Sequence, residues 1–367
     1  MKGKNGHNYR RRMLKSGVVY EVLLDGKWKS TGQQTLERAE TWTKKYAFGQ
    51  KNKTKIADFA ADFYKPEGFY RKHLESRGKR RSTGYWLQQQ SRLERYILPV
   101  IGDLMPCEVT PQIIDKTLTD IPLSGSIKNK LLYSIKSIMA EAVRRGLIEV
   151  SPCEKVENFA ANSQERTPFT KAELEVFFPD TLRDLIYIWG NKMWAAYFLC
   201  LSDCGHRPGE QSVLLWSDLW EFDGRAGFII DKSMDGITQQ PRHTTKTGYS
   251  RSSLLSERAF TMLKLWHQET PLPEPDSLIF TFDGKRGLIA NTINKHLRLS
   301  AERAGIDLQG RTAYCFRHTF NTLGLLRHNP ADLRFLMGHR TEKETTNYNH
   351  PDRQLLIQKA LKITQDA

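Results

Sequence analysis

The sequence predicts a multidomain, mainly α-helical protein with small β-sheets: a small α+β N-terminal domain, an all-α middle domain and a mixed α+β C-terminal domain. Three observations carry this expectation. The chain has 367 residues, more than one ordinary core holds. Apolar residues recur at helical spacing through 54–150, whereas strand-type runs are confined to the first third of a hundred residues and to the region around 223–255. A polar stretch without periodicity, Ser151 to Pro168, separates the two larger parts. The expected divisions are 1–50, 54–150, a linker at 151–169, and 170–367.

In the first division Val18 to Leu24 is a β-type run. Asp25 and Gly26 supply a hairpin turn, and Lys27 to Thr31 the return strand. Thr35 opens a helix on which Ala39, Trp42 and Tyr46 share a face. Ahead of them lies a basic leader with Lys2, Lys4, Arg10, Arg11, Arg12 and Lys15, equally readable as a solvated tail or as a DNA-docking element.

The middle division should be helical from Ile56 to Tyr64. A basic stretch follows, with Arg71, Lys72, Arg77, Lys79, Arg80 and Arg81 around the acid Glu75. A long helix then carries Trp86, Leu87, Leu93, Tyr96 and Ile97. Thr110 and Pro111 form an N-cap and N1 pair. The strongest periodicity runs from Ile127 to Arg145, and Gly146 ends it. After the linker, Thr170 and Glu173 form a capping box that starts the last division.

Lysine plus arginine number 56 against 41 acidic residues, and a net charge of +15 favours a polyanionic partner. No stretch nears the ~18 uninterrupted apolar residues of a membrane span, and the N-terminus lacks the apolar core of a secretory signal. Five scattered cysteines argue for a reducing compartment and against a disulfide framework. Cys200 and Cys204 are four apart, but no second ligand pair follows them, so they read as core thiols.

Four segments of the last division carry residues suited to phosphate chemistry. After the apolar helix Trp194 to Leu201, Gly205 ends the helix and Pro208 opens the next. Arg207 stands between them with Glu210 three residues on, either as a structural ion pair or as a phosphate fork. Lys246 lies in a turn with Thr245, Thr247 and Gly248, where a lysine protonates a leaving oxygen or merely meets solvent. Tyr314 and Arg317 share a helix face; Phe316 and Phe320 flank the arginine, which should reach out of this apolar neighbourhood. Gly338 ends the helix Pro330–Met337, His339 follows, and Tyr348 comes nine residues later, after a second capping box at Thr341 and Glu344. Singly, each of these is an ordinary residue more often than not.

Taken in order, these motifs resemble the tyrosine recombinase or phage integrase family, and the likeness covers essentially the whole last division. The helix ending Ala142 to Ile148 also resembles that family's helical, SAM-like core-binding domain, and the hairpin-helix unit its N-terminal arm-binding domain. The resemblance implies a site-specific DNA recombinase. Tyr348 attacks the phosphodiester to give a 3′-phosphotyrosyl link, Arg207, Arg317 and His339 hold the non-bridging oxygens, and Lys246 protonates the departing 5′-oxygen. It further implies duplex attachment sites gripped in a C-shaped clamp, a homotetramer on DNA, directionality and DNA-bending partners, and a cytoplasmic, nucleoid-associated enzyme of a prophage or other mobile element. No cofactor or metal is implied. Arg10, Arg11, Arg12, Lys79, Arg80 and Arg81 are candidate DNA contacts.

One position departs from the family pattern. Where histidine is usual, three residues before the second arginine, this chain has Tyr314. Imidazole accepts a proton near neutrality, whereas a phenol ordinarily titrates near ~10 and donates. Tyr314 is therefore expected to bond the phosphate or orient Arg317. The segment Leu355 to Ile363 has an apolar face for a neighbouring protomer or for its own chain. A non-catalytic DNA-binding protein, a type IB topoisomerase-like enzyme and a metal-dependent nuclease are the competing readings, the last lacking a carboxylate cluster.

Overall fold

The computed structural model describes residues 1–4, 6–14, 17–24, 26–51, 54–161, 167–245, 250–326 and 329–338. The chain divides between 163 and 164 into two compact units.

In the first unit β1 (Tyr9–Leu14), β2 (Gly17–Leu24) and β3 (Lys27–Ser30) form an antiparallel sheet in that order, followed by α1 (Leu36–Lys51). Tyr9, Tyr20, Val22, Leu24 and Ala39 make a small core, with Trp42 and Tyr46 packed on it from the helix face expected of them. The leader is the difference. Its arginines lie in a strand, because register sets Arg10 opposite Glu21 and Arg11 opposite Tyr20. Glu21, 3% exposed, accepts hydrogen bonds from Arg10 (2.7 Å) and Arg12 (3.0 Å) on one face of β1, while Arg11 reaches the Tyr20 hydroxyl on the other.

A separate core gathers the helices α2 (Ile56–Ala60), α3 (Phe69–Glu75), α4 (Thr83–Arg92), α5 (Leu98–Ile101), α6 (Pro111–Asp120) and α7 (Gly125–Arg144). Ser82 and Thr110 cap α4 and α6, their hydroxyls accepting from the Tyr85 and Ile113 amides. A π-helical turn, Leu93–Ile97, joins α4 to α5 and keeps Leu93 and Ile97 inside. Of the apolar residues on this stretch, Trp86, Leu93 and Ile97 are buried and Leu87 is exposed. Leu131, Leu132, Ile135, Ile138, Met139 and Ala142 line the buried face of α7. After α7 the Leu147 amide bonds back to the Ala142 carbonyl, and the Gly146 amide to that of Val143. The stretch read as linker begins differently. Cys153 and Val156 are buried in this core, and Asn129 holds the Phe159 backbone through both its amide atoms, at 2.8 and 2.9 Å.

In the second unit α8 (Lys171–Phe177), α9 (Leu182–Trp189), α10 (Lys192–Cys204) and α11 (Pro208–Gln211) precede β4 (Leu219–Phe222), β5 (Arg225–Ile230), β6 (Ser233–Met234), β7 (Pro241–Arg242) and β8 (Arg251–Ser252). Then come α12 (Glu257–His267), α13 (Ala290–Ala304), α14 (Tyr314–Gly324) and α15 (Pro330–Met337). The box of Thr170 and Glu173 opens α8 as read from sequence, and Arg311 also binds the Glu173 carboxylate. Strands pair in the order β4-β5-β8, and β6 with β7 forms a two-stranded hairpin. Asp223 and Gly224, both at positive φ, turn β4 into β5. The strand expected at Ser252–Leu255 pairs one residue earlier, at Arg251–Ser252, which brings Arg251 into the sheet.

Helix α10 is apolar on nearly every side and lies at the centre of the core, where Trp189 stacks on Phe198 at 4.1 Å and Phe316 packs from α14. Cys200 and Cys204 are buried thiols there, both pushed up by burial. Among the described residues no helix is long and apolar enough to cross a membrane. Lys246, His339, Tyr348, the box of Thr341 and Glu344, and the tail 355–363 lie outside the described residues.

Candidate active site

The turn from α10 to α11 places the first arginine. Gly205 closes α10 at φ +59°, and a Cβ there would stand 2.4 Å from the Phe320 ring, so glycine lets α14 pack against the turn. Arg207 caps α11, with Pro208 at the first helical position. The Glu210 carboxylate accepts from the Arg207 amide (3.0 Å) and from its Nη1 (2.7 Å), the pairing read from the spacing. Arg207 keeps 16% of its side chain exposed; burial works against its charge, but the Glu210 carboxylate, and to a lesser extent Tyr314, outweigh it.

Glu210 also answers a second cation that sequence reasoning missed. Arg251, on β8, places Nη2 2.5 Å from Oε2 of Glu210 and donates from Nε to the Leu336 carbonyl at 3.0 Å. Burial by itself would raise the Glu210 carboxyl, but Arg251 and then Arg207 outweigh it and hold the group down to about 2. Nothing local marks Arg251, because its partners are 41 residues before it and 85 after it.

Arg317 does not reach outward as expected. It is 1% exposed, donating Nη1 to the Gly205 carbonyl (2.8 Å) and Nη2 to that of Met337 (2.5 Å). The reason is local: these carbonyls belong to the ends of α10 and α15, where intrahelical donors run out, so the guanidinium fills two helix ends at once. Its Nε is buried and has no partner among the described residues. Burial and the neighbouring Arg207 lower Arg317 to about 10, which leaves it fully cationic near neutrality.

Among the described residues the charges do not cancel: Arg207, Arg251 and Arg317 surround one carboxylate, Glu210, which leaves a surplus of two positive charges in a largely buried cluster. Buried charge is costly unless paired, so such a cluster is built to receive an anion. Tyr314 lies at its edge, its ring 5.0 Å from that of His318.

Behind the arginines His206 is fully buried, with Nδ1 3.3 Å from the Gln211 amide oxygen and Nε2 unpartnered among the described residues. Burial, then Arg251, holds its pKa to about 3, so the imidazole is neutral in the folded unit. The unfolded chain takes up that proton near pH ~6.5. The stability this neutrality contributes is complete above the unfolded value and is lost as pH falls toward 3. Between pH 7 and 5 the expected loss is about 2 kcal/mol. Urea titrations of wild type and His206→Leu across this window test it: the variant should show a correspondingly shallower slope, and an unchanged slope would refute the assignment. Glu210 acts only below this window, its stabilisation fading as pH falls from about 4.5 toward 2.

Thus Arg207, Tyr314 and Arg317 come together, joined by Glu210 and Arg251. Lys79, Arg80 and Arg81 belong to the first unit, all exposed between α3 and α4; Arg10, Arg11 and Arg12 are exposed on β1.

Residues 179–354 match the family model described as the phage integrase family. Among solved structures, the fold is similar to the Tn1549 transposon integrase in complex with a circular intermediate DNA, at TM-score 0.62 and 18% identity, over 80% of this chain and 98% of that one. It is similar to a lambda integrase dimer bound to a COC′ core site at TM-score 0.58 and 15% identity, over 92% and 93% of the two chains. XerH site-specific recombinase bound to difH substrate matches at TM-score 0.53 and 16% identity, over 83% and 94%. No curated protein matches the sequence.

Proposed function

We propose that this chain, whose residues 179–354 match the phage integrase family model, is a tyrosine-type recombinase that cuts and rejoins duplex DNA at specific sites to move a mobile element. The observation that carries the reading is the unbalanced arginine cluster. A phosphodiester brings one negative charge, and its transition state adds another. Two surplus positive charges within Arg207, Arg251, Arg317 and Glu210 match that demand. The orphaned Arg317 Nε and the half-open Arg207 fork are the donors left for phosphate oxygens.

In this proposal the Tyr348 hydroxyl gives its proton to water or to a phosphate oxygen, its oxygen bonds to phosphorus, and the bond to the 5′-oxygen breaks. That oxygen takes its proton from Lys246, and His339 joins the arginines on the non-bridging oxygens. The energy of the broken bond persists in the phosphotyrosine, so a 5′-hydroxyl of a second duplex reverses the step without ATP. Tyr314 donates a hydrogen bond and does not act as base. Arg10, Arg11, Arg12, Lys79, Arg80 and Arg81 supply phosphate contacts that position the duplex. Four copies around two crossing sites, with a directionality factor and a DNA-bending protein, complete the assembly in the cytoplasm; a prophage is the proposed type of element. The integrases and recombinase solved with DNA are the precedent for a duplex partner.

The test selects cognate DNA from a randomised nicked-duplex library by covalent capture, with EDTA present. Capture on a peptide containing Tyr348 is the expected result. No capture, or capture only when Mg²⁺ is supplied, would overturn the proposal. Tyr314→Phe should keep the adduct and slow its formation about 10-fold, in line with one hydrogen bond to a charged group. A complete loss would make the phenol a proton acceptor after all.

A further inference from the structure

The recombinase reading accounts for Arg207 and Arg317. It counts Arg251 only for its charge and gives it no role of its own, although it is as buried as Arg317. Each of its three guanidinium nitrogens has a partner. Two meet the Glu210 carboxylate, and Nε meets the Leu336 carbonyl near the end of α15. The stem of Arg251 also lies against Gly338, which sits at φ +62°; a Cβ added there would come within 3.1 Å of Cδ and Nη1 of Arg251. One residue on, the Met337 carbonyl is held by Arg317.

Two consequences follow from this geometry. Glu210 is shared, so its position on Arg207 depends on the cation at its other side. The last turn of α15, which leads in sequence to His339, is gripped by one arginine from β8 and one from α14. We propose that Arg251 is a positioning residue of the cleavage reaction: it aims Arg207 through Glu210 and fixes the end of α15 from which the His339 segment departs. This rests on the recombinase reading and extends it to a residue that touches no DNA. A lysine at 251 would keep the charge next to Glu210 but, having no planar fork, could not serve the carboxylate and the Leu336 carbonyl together.

The experiment uses the full-length chain on nicked duplexes captured by the wild type. Duplex affinity, single-turnover cleavage and thermal unfolding are measured for wild type, Arg251→Lys and Arg251→Ala. Arg251→Lys is expected to unfold near the wild-type midpoint and to bind duplex within about threefold of wild type. It should cleave about 10²-fold more slowly, the cost typical of one misplaced preorganised donor. A second substrate carries an uncharged methylphosphonate at the scissile position. With less charge for Arg207 to meet, the lysine penalty should shrink to below about 10-fold. A structural role alone would leave the penalty the same on both substrates. Equal penalties, wild-type cleavage by Arg251→Lys, or a rate loss that follows loss of folding or affinity in both variants would each overturn the proposal. Absence of an adduct from the wild type itself would instead sink the recombinase reading on which it rests.

Discussion

Tyr348→Phe is expected to form no covalent DNA adduct and to retain duplex binding. Phenylalanine keeps the ring and deletes only the oxygen that would bond to phosphorus, so the loss falls on chemistry and not on recognition. Nucleophile deletions in covalent catalysts cost on the order of 10⁴–10⁶ in rate, which places the variant at background in a suicide-substrate gel. A mobility-shift titration on the same duplex should give wild-type affinity. An adduct formed by Tyr348→Phe would move the nucleophile elsewhere, and lost affinity would mean that the phenol supports the fold.

The second large effect belongs to Arg317, and it should appear twice. Arg317→Ala leaves the carbonyls of Gly205 and Met337 without their donor and removes a fully buried side chain. A buried pair broken in this way costs about 3–5 kcal/mol. For a unit of this size that is a fall of roughly 10 °C in the unfolding midpoint. Arg317→Lys keeps the charge and can fill one helix end, so it should recover most of the midpoint while cleavage stays down by ~10²–10³-fold. Calorimetry beside single-turnover cleavage separates the two losses. If both variants cleave normally at temperatures where they are folded, Arg317 holds helices together and no phosphate.

How much of this was readable beforehand depends on how far apart in sequence the partners lie. Arg207 and Glu210 are three residues apart on a helix opened by Pro208, so their pairing was legible from spacing. The capping box at Thr170 and the end of α7 at Gly146 are equally local and equally legible. Arg251 was not, because the carboxylate that draws it inward and the carbonyl that fixes it come from distant elements. Arg317 was recognised but aimed wrongly: its apolar neighbours suggested an escape to solvent, while the two helix ends that hold it are known only once α10, α14 and α15 are packed. The leader escaped for a similar reason. Its run of arginines hides the alternation of a strand, and Glu21 on β2 is what sets Arg10 and Arg12 along one exposed face.

The helix ends capped by arginine side chains constrain how this protein can change. Arginines also hold carbonyls at the ends of α8 and α9, through Arg258 on Phe178 and Arg303 on Ile188, but those lie away from the proposed site. Here the groups that close α10 and α15 are charged side chains at the centre of the proposed reaction. In a survey of all single substitutions scored only for the amount of protein in the cell, positions 251 and 317 should tolerate lysine and resist neutral side chains. On the proposed chemistry, loss of Tyr348 would remove cleavage and spare the fold, whereas a neutral side chain at either arginine would weaken both.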